Sequence, residues 1–73
     1  MITIAIEHNT DIVETFPILD DSVIESLEDF VSEYEDVEIL SKKVYQEYDI
    51  TLRCENIDFI SELQSFLEDN QYI

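Results

Sequence analysis

Residues 20–38 read DDSVIESLEDFVSEYEDVE, with nine carboxylates and no base. Two patterns overlap in this stretch. Taking 100° per residue and setting Leu27 at zero, Val23, Ile24, Phe30, Val31 and Tyr34 all fall within about 60° of it. Asp21, Glu25, Asp29, Glu33 and Asp36 fall on the far side, with Glu28 and Glu35 on a flank. The spacing predicts an amphipathic helix over residues 22–35, its apolar stripe turned to a core and its carboxylates to solvent. Ser22 followed by Glu25 three residues later has the spacing of a capping box, which marks the helix start.

Upstream, ITIAIE alternates strictly. Ile2, Ile4 and Ile6 share one face and Thr3 and Ala5 the other, the period of a half-buried strand. HNTD follows as a turn, and IVETF is β-rich enough to return as a second strand ending at Pro17. Downstream, VEILSKKVY and YDITLRC predict a hairpin around Gln46 and Glu47. Tyr48, Ile50, Leu52 and Cys54 share a face there, and a break in alternation near Leu40–Lys42 suggests a bulge. Asn56 then caps a final helix over residues 57–69, with Phe59, Ile60, Leu63, Phe66 and Leu67 as its stripe. These positions repeat Val23, Ile24, Leu27, Phe30 and Val31 at an offset of 36 residues. A duplicated ββα unit is one explanation; the shared period of any two amphipathic helices is the other.

The chain of 73 residues holds one domain, without linker or low-complexity segment. The fold class expected is α+β: a small antiparallel sheet of three to four strands, two helices packed on one face, in the order β(β)αββα. An apolar fraction of 45% supports a packed core and argues against disorder.

Nineteen acids face three bases, for a net charge of −16. Residues 1–41 carry −12 and residues 54–73 carry −5, while the segment 42–53, which holds Lys42, Lys43 and Arg53, carries +1. Solubility alone asks for a net charge of only about 2–8 in a small domain. So acidic a surface repels nucleic acid and anionic membranes and suits a basic partner.

The chain offers little for catalysis. His8 and Cys54 are each the sole residue of their type, which argues against a zinc site. With no glycine there is neither a phosphate loop nor an EF-hand calcium loop. No local motif sets a nucleophile beside a base, and carboxylates on a solvent face lack the pocket that separates acid and base pKa values. The expectation is no enzyme, no catalytic residue, no metal and no cofactor. A single cysteine points to a reducing compartment. MITIAIEHNTD has neither a basic n-region nor a long apolar run, so a cytoplasmic protein is expected.

Two resemblances follow. Asp21-Ser22 opening a helix in a small acidic chain is similar to the Asp-Ser pair of acyl carrier proteins, which implies an all-helical fold; the strand pattern of residues 2–7 departs from it. The second is in size and charge alone. Treated as one helix at about 1.5 Å per residue, residues 20–38 span roughly 28 Å. That is about one carboxylate per 3 Å, near the phosphate spacing of about 3.4 Å along one DNA strand. In this the chain resembles phage-encoded DNA mimics and the small inhibitors of host defence (anti-restriction, anti-CRISPR). The resemblance implies an inhibitor of a basic nucleic-acid-binding protein, a nuclease or a defence complex. Asp21, Glu25, Glu28, Asp29, Glu33, Glu35 and Asp36 would be its partner-binding residues, with Tyr34 and Tyr45 as aromatic anchors. It implies no binding to nucleic acid itself. The alternative is an acidic adaptor or homodimer that uses its sheet edge near Lys42, Lys43 and Arg53.

Overall fold

The structure, a computed structural model, describes residues 2–40 and 47–73. Six elements follow one another: β1 (Ile2–His8), β2 (Asp11–Ile18), α1 (Val23–Ser32), β3 (Val37–Leu40), β4 (Ile50–Cys54) and α2 (Phe59–Asp69). They form the expected α+β fold, a four-stranded sheet with two helices. The strand order is β2-β1-β4-β3.

The sheet is mixed rather than wholly antiparallel. β1 pairs with β2 and β3 with β4 as antiparallel neighbours, but β1 and β4 run parallel, Ile4 beside Ile50 and Ile6 beside Leu52. The connections require it. After β2, α1 runs back along the sheet, so β3 points the same way as β2. It lies at the far edge, and β4 turns back between β3 and β1. β1 is therefore central, and Ala5 and Glu7 on its second face are buried along with Ile4 and Ile6. The half-buried strand of the sequence pattern is buried on both faces at its middle, as strands with a parallel neighbour commonly are. The order also gives the two hairpins different placements. The inner strand of the first hairpin is its first, β1, whereas that of the second hairpin is its second, β4.

The hairpin β1–β2 turns at Asn9-Thr10, both at positive φ (52° and 69°), the signature of a two-residue type I′ turn. Asn tolerates this region, whereas β-branched Thr does not. A register shift between Ile6 and Glu7 places Ile6 opposite Glu14 and Glu7 opposite Ile12. Val13 is thus the extra residue of a bulge, which lies in the first hairpin. The bulge expected at Leu40–Lys42 and the hairpin turn at Gln46–Glu47 lie largely outside the described residues. Pro17 falls inside β2, an edge strand, where its missing N–H breaks no ladder.

α1 starts at Val23, directly after its expected cap Ser22, but ends earlier than expected, and α2 starts at Phe59, later than a cap at Asn56 suggests. Ser22 sits at φ −64°, ψ −12°, already helical, so its hydroxyl makes no capping bond. The predicted capping box does not form, because an N-cap side chain reaches the N–H groups only from the extended region. Instead Asp20 Oδ1 accepts from the Ser22 N–H at 2.9 Å, and Asn56 Oδ1 accepts from the Asp58 N–H at 2.9 Å. The two helices thus open through the same side-chain turn, 36 residues apart. At the end of α1 the Tyr34 N–H donates to the Val31 carbonyl at 2.9 Å, a tightened last turn that frees Val37 to enter β3. α2 closes with Gln71 at φ 61°, the Gln71 N–H on Glu68 O and the Tyr72 N–H on Leu67 O, a complete Schellman motif.

One core lies between the helices and one sheet face. Ile4, Ile6, Phe16, Ile18, Val37, Ile50, Leu52 and Cys54 from the strands meet Val23, Leu27 and Val31 from α1 and Phe59, Leu63 and Leu67 from α2. Between the helices, rings fill the gap. Phe30 stacks on Phe66 (4.4 Å) and Tyr34 meets Phe59 edge-on (5.1 Å). Ser26 Oγ lies 2.9 Å from Tyr72 Oη. These contacts join the start of α1 to the end of α2 and the end of α1 to its start, so the helices are antiparallel. Tyr34 is thereby mainly a core-edge residue. Its phenol is pushed up by desolvation, then by a hydrogen bond to Glu62. Tyr45, the other aromatic anchor of the sequence reading, lies outside the described residues. With β1 a strand, the architecture is not that of an acyl carrier protein.

Candidate functional site

All seven residues expected to meet a partner (Asp21, Glu25, Glu28, Asp29, Glu33, Glu35 and Asp36) are exposed. Of the chain's nineteen acids only Glu7 is buried, and the other eighteen are exposed. Arg53 is the one base among the described residues, and it is already engaged. Its Nε donates to Glu7 Oε2 at 2.7 Å and its Nη1 to Glu38 Oε1 at 2.9 Å. The hydrogen bond to Glu7 leads the causes that hold the guanidinium above its ordinary range. This cation neutralises charge on the sheet face away from the helices and none on α1. No salt bridge reaches an α1 carboxylate among the described residues.

The continuous acidic helix of the sequence reading is not what forms. α1 stops at Ser32, so Glu33 is its C-cap, Glu35 and Asp36 lie in the following turn, and Glu38 lies on β3. The physical reason is topological. The chain must turn within five residues to put Val37 under the core, and a helix extended to residue 35 leaves no room for that. The acids accordingly fan out from α1 in three directions. Asp29 and Glu33 border a shallow groove between the helices, with Ser26, Phe30, Phe66 and Asn70. Glu35 and Asp36 line a cleft with Glu38, Glu55 and Arg53. Glu28 points the other way and lines an apolar groove between α1 and β3, with Asp49 on the same rim. Glu25 projects from the first turn of α1.

Glu38, Asp49 and Glu55 were not singled out in the sequence. Strand pairing carries them to the acidic surface; the Glu55 N–H donates to the Asp36 carbonyl at 3.3 Å. Nothing local in ENID or EYDI signals that neighbourhood.

Several acids stand where helix electrostatics disfavours them. Neither helix has a base in its last turn, and each carries acids there, Glu33 at the C-cap of α1 and Glu68 and Asp69 closing α2. Negative charge at a helix C-terminus opposes the macrodipole and is destabilising by roughly 0.3–1 kcal/mol when exposed. Asp20 ahead of α1, Glu25 in its first turn, and Asp58 and Glu62 at the start of α2 stand instead at the favourable end, and Asp20 is also hydrogen-bonded. Its carboxyl is held below the ordinary range by the hydrogen bond from the Ser22 backbone.

Cys54 is a free, buried thiol, pushed up by burial and then by Asp36. His8 Nδ1 faces the Cys54 carbonyl at 3.2 Å while Asn9 Nδ2 faces its Nε2 at 3.2 Å, so a neutral ring protonated at Nδ1 satisfies both contacts. No group of three or more His, Cys, Asp or Glu among the described residues is arranged to hold a metal ion. Among the described residues no helix is long and apolar enough to cross a membrane. No protein-family model, curated protein or solved structure matches the chain.

Proposed function

We propose that the chain is a small acidic inhibitor that binds a basic nucleic-acid-binding or nuclease protein and occupies the surface meant for phosphate, in the manner of a DNA mimic. The observation that carries this reading is the carboxylate surface around α1, which no base among the described residues pairs with, and which extends to helix ends where it weakens the fold. Carboxylates bind guanidinium groups in short, strong, bidentate pairs, and a groove built for phosphate supplies those groups. The partner meets the fan of Glu25, Glu28, Asp29, Glu33, Glu35 and Asp36, with Asp21 at its margin. In this proposal the chain is no enzyme, needs no cofactor, avoids nucleic acid and membrane, and works in the cytoplasm of the cell that holds its target.

The test begins with a pull-down from lysate, with and without competing duplex DNA, followed by a competition titration on the purified complex. DNA displaces the protein, and affinity falls as salt rises. Replacing Glu25, Asp29 and Glu33 together by Lys abolishes binding without unfolding, because all three are exposed and opposite Leu27. A ternary complex of partner, DNA and this protein would defeat the proposal.

A second reading, an adaptor or homodimer joined at a sheet edge, is favoured by β3, an edge strand whose Ile39 is 45% exposed. Sedimentation over a concentration series separates the two, since only the second requires self-association.

A further inference from the structure

The surface around α1 is not uniformly polar. Between α1 and β3 runs a groove of about 360 Å3, walled by Ile2, Ile24, Ile39 and Leu40 and rimmed by Glu28 and Asp49. Ile24 and Ile39 are 40% and 45% exposed, although Ile24 belongs to the helix stripe and Ile39 pairs with the fully buried Leu52. These two exposed side chains both line this groove. Among the described residues, β3 has a ladder partner on one side only, β4.

We propose that this groove is a docking site for an extended basic segment of a partner protein, one that alternates Lys or Arg with Leu, Ile or Val. The segment lies along the free edge of β3, adding a strand to the sheet as in β-augmentation. Its apolar side chains fill the space between Ile24 and Ile39, and its cations pair with Glu28 and Asp49. Charge selects this occupant. A second copy of the chain would set a net charge of −16 against another −16 and carboxylate rim against carboxylate rim. A nucleic acid is repelled, and an uncharged apolar segment offers nothing to the two rim carboxylates, which no base among the described residues pairs with. The inference rests on the acidic surface being a protein-binding surface, and adds that binding there reads apolar pattern as well as charge.

The probe is a pair of synthetic ten-residue peptides of equal charge, one alternating Lys with Leu and Val, the other with Ser at every apolar position. Each is titrated into isotope-labelled protein and followed by amide chemical shifts. The apolar peptide is expected to bind at least about 10-fold tighter than the Ser peptide, a factor that corresponds to about 1.4 kcal/mol. Its shifts centre on residues 24, 28, 39 and 49. Ile24→Gln and Ile39→Thr together erase that margin while leaving the Ser peptide's affinity unchanged; both positions are partly exposed and both replacements suit their helix or strand, so the fold is retained. Asp29→Asn with Glu33→Gln lowers both affinities alike and keeps the margin. Equal affinity of the two peptides, a margin that survives the Ile24/Ile39 change, or concentration-dependent dimerisation covering the groove would each overturn the inference. The outcome is separable from that of the mimic reading. Competition by DNA tests the charge, and the margin between the peptides tests the groove.

Discussion

Thr10 is the residue whose replacement by glycine should most simply strengthen this protein. At φ 69° it occupies the second central position of the β1–β2 turn, in a chain with no glycine. For an L-residue the left-handed region costs about 1–2 kcal/mol, because Cβ crowds the following carbonyl, and a β-branched residue lies at the unfavourable end. Glycine removes that strain but has more freedom to lose on folding, roughly 0.5–1 kcal/mol. The difference leaves a gain of about 0.5–1 kcal/mol. In a domain of this size each kcal/mol moves Tm by about 4–8 °C, so Thr10→Gly should raise Tm by roughly 3–6 °C. Thermal melts followed by far-ultraviolet circular dichroism measure it, and urea melts should show a higher midpoint with unchanged slope. Asn9→Gly is the internal control. Asn accepts φ 52° readily and its amide contacts His8, so this change should be close to neutral. A Tm that stays level or falls for Thr10→Gly would refute the reasoning, since the turn geometry leaves no other sign for the effect.

Raising NaCl from 10 to 100 mM should increase Tm, since the Debye length shortens from about 30 Å to about 10 Å and eighteen exposed carboxylates repel one another less; a flat response in circular-dichroism melts contradicts this. Arg53→Ala removes a cation from Glu7, only 3% exposed, and should lower the urea midpoint; Glu38→Ala, which removes a carboxylate exposed to solvent, should lower it far less in the same melts. Tyr34 has its phenol pKa raised in the fold by desolvation and Glu62, so its contribution is fully present below the unfolded value near 10.0 and is lost as pH rises through the folded one. Tyr34→Phe should therefore flatten part of the alkaline loss of stability, read as Tm between pH 9 and pH 11.

Both helices were legible from residues 20–38 and 56–69 because a helix buries a stripe fixed by its own 3.6-residue period, which no distant residue alters. Phe59, Leu63 and Leu67 are buried where the pattern put them, as are Val23, Leu27 and Val31. The strands were legible for the same reason, with Ile4 and Ile6 inward and Ile50, Leu52 and Cys54 along one face. The total charge, too, is a property of the sequence alone. What local pattern does not contain is the partner of each strand. That β4 lies parallel to β1 follows from where α1 delivers β3, a matter of chain path. From that pairing come the burial of Ala5 and Glu7 and the ion pair of Arg53 with Glu7, while the β3–β4 ladder sets Glu38 and Glu55 beside Glu35 and Asp36, and Asp49 shares a groove with Glu28 of α1. The capping box failed for a related reason, since the side-chain turn at Asp20 sets Ser22 in helical geometry before its hydroxyl can reach back. Composition thus determined that the surface is acidic. The order of the strands decided which carboxylates stand together, because side chains far apart in sequence become neighbours only through the ladder that joins their strands.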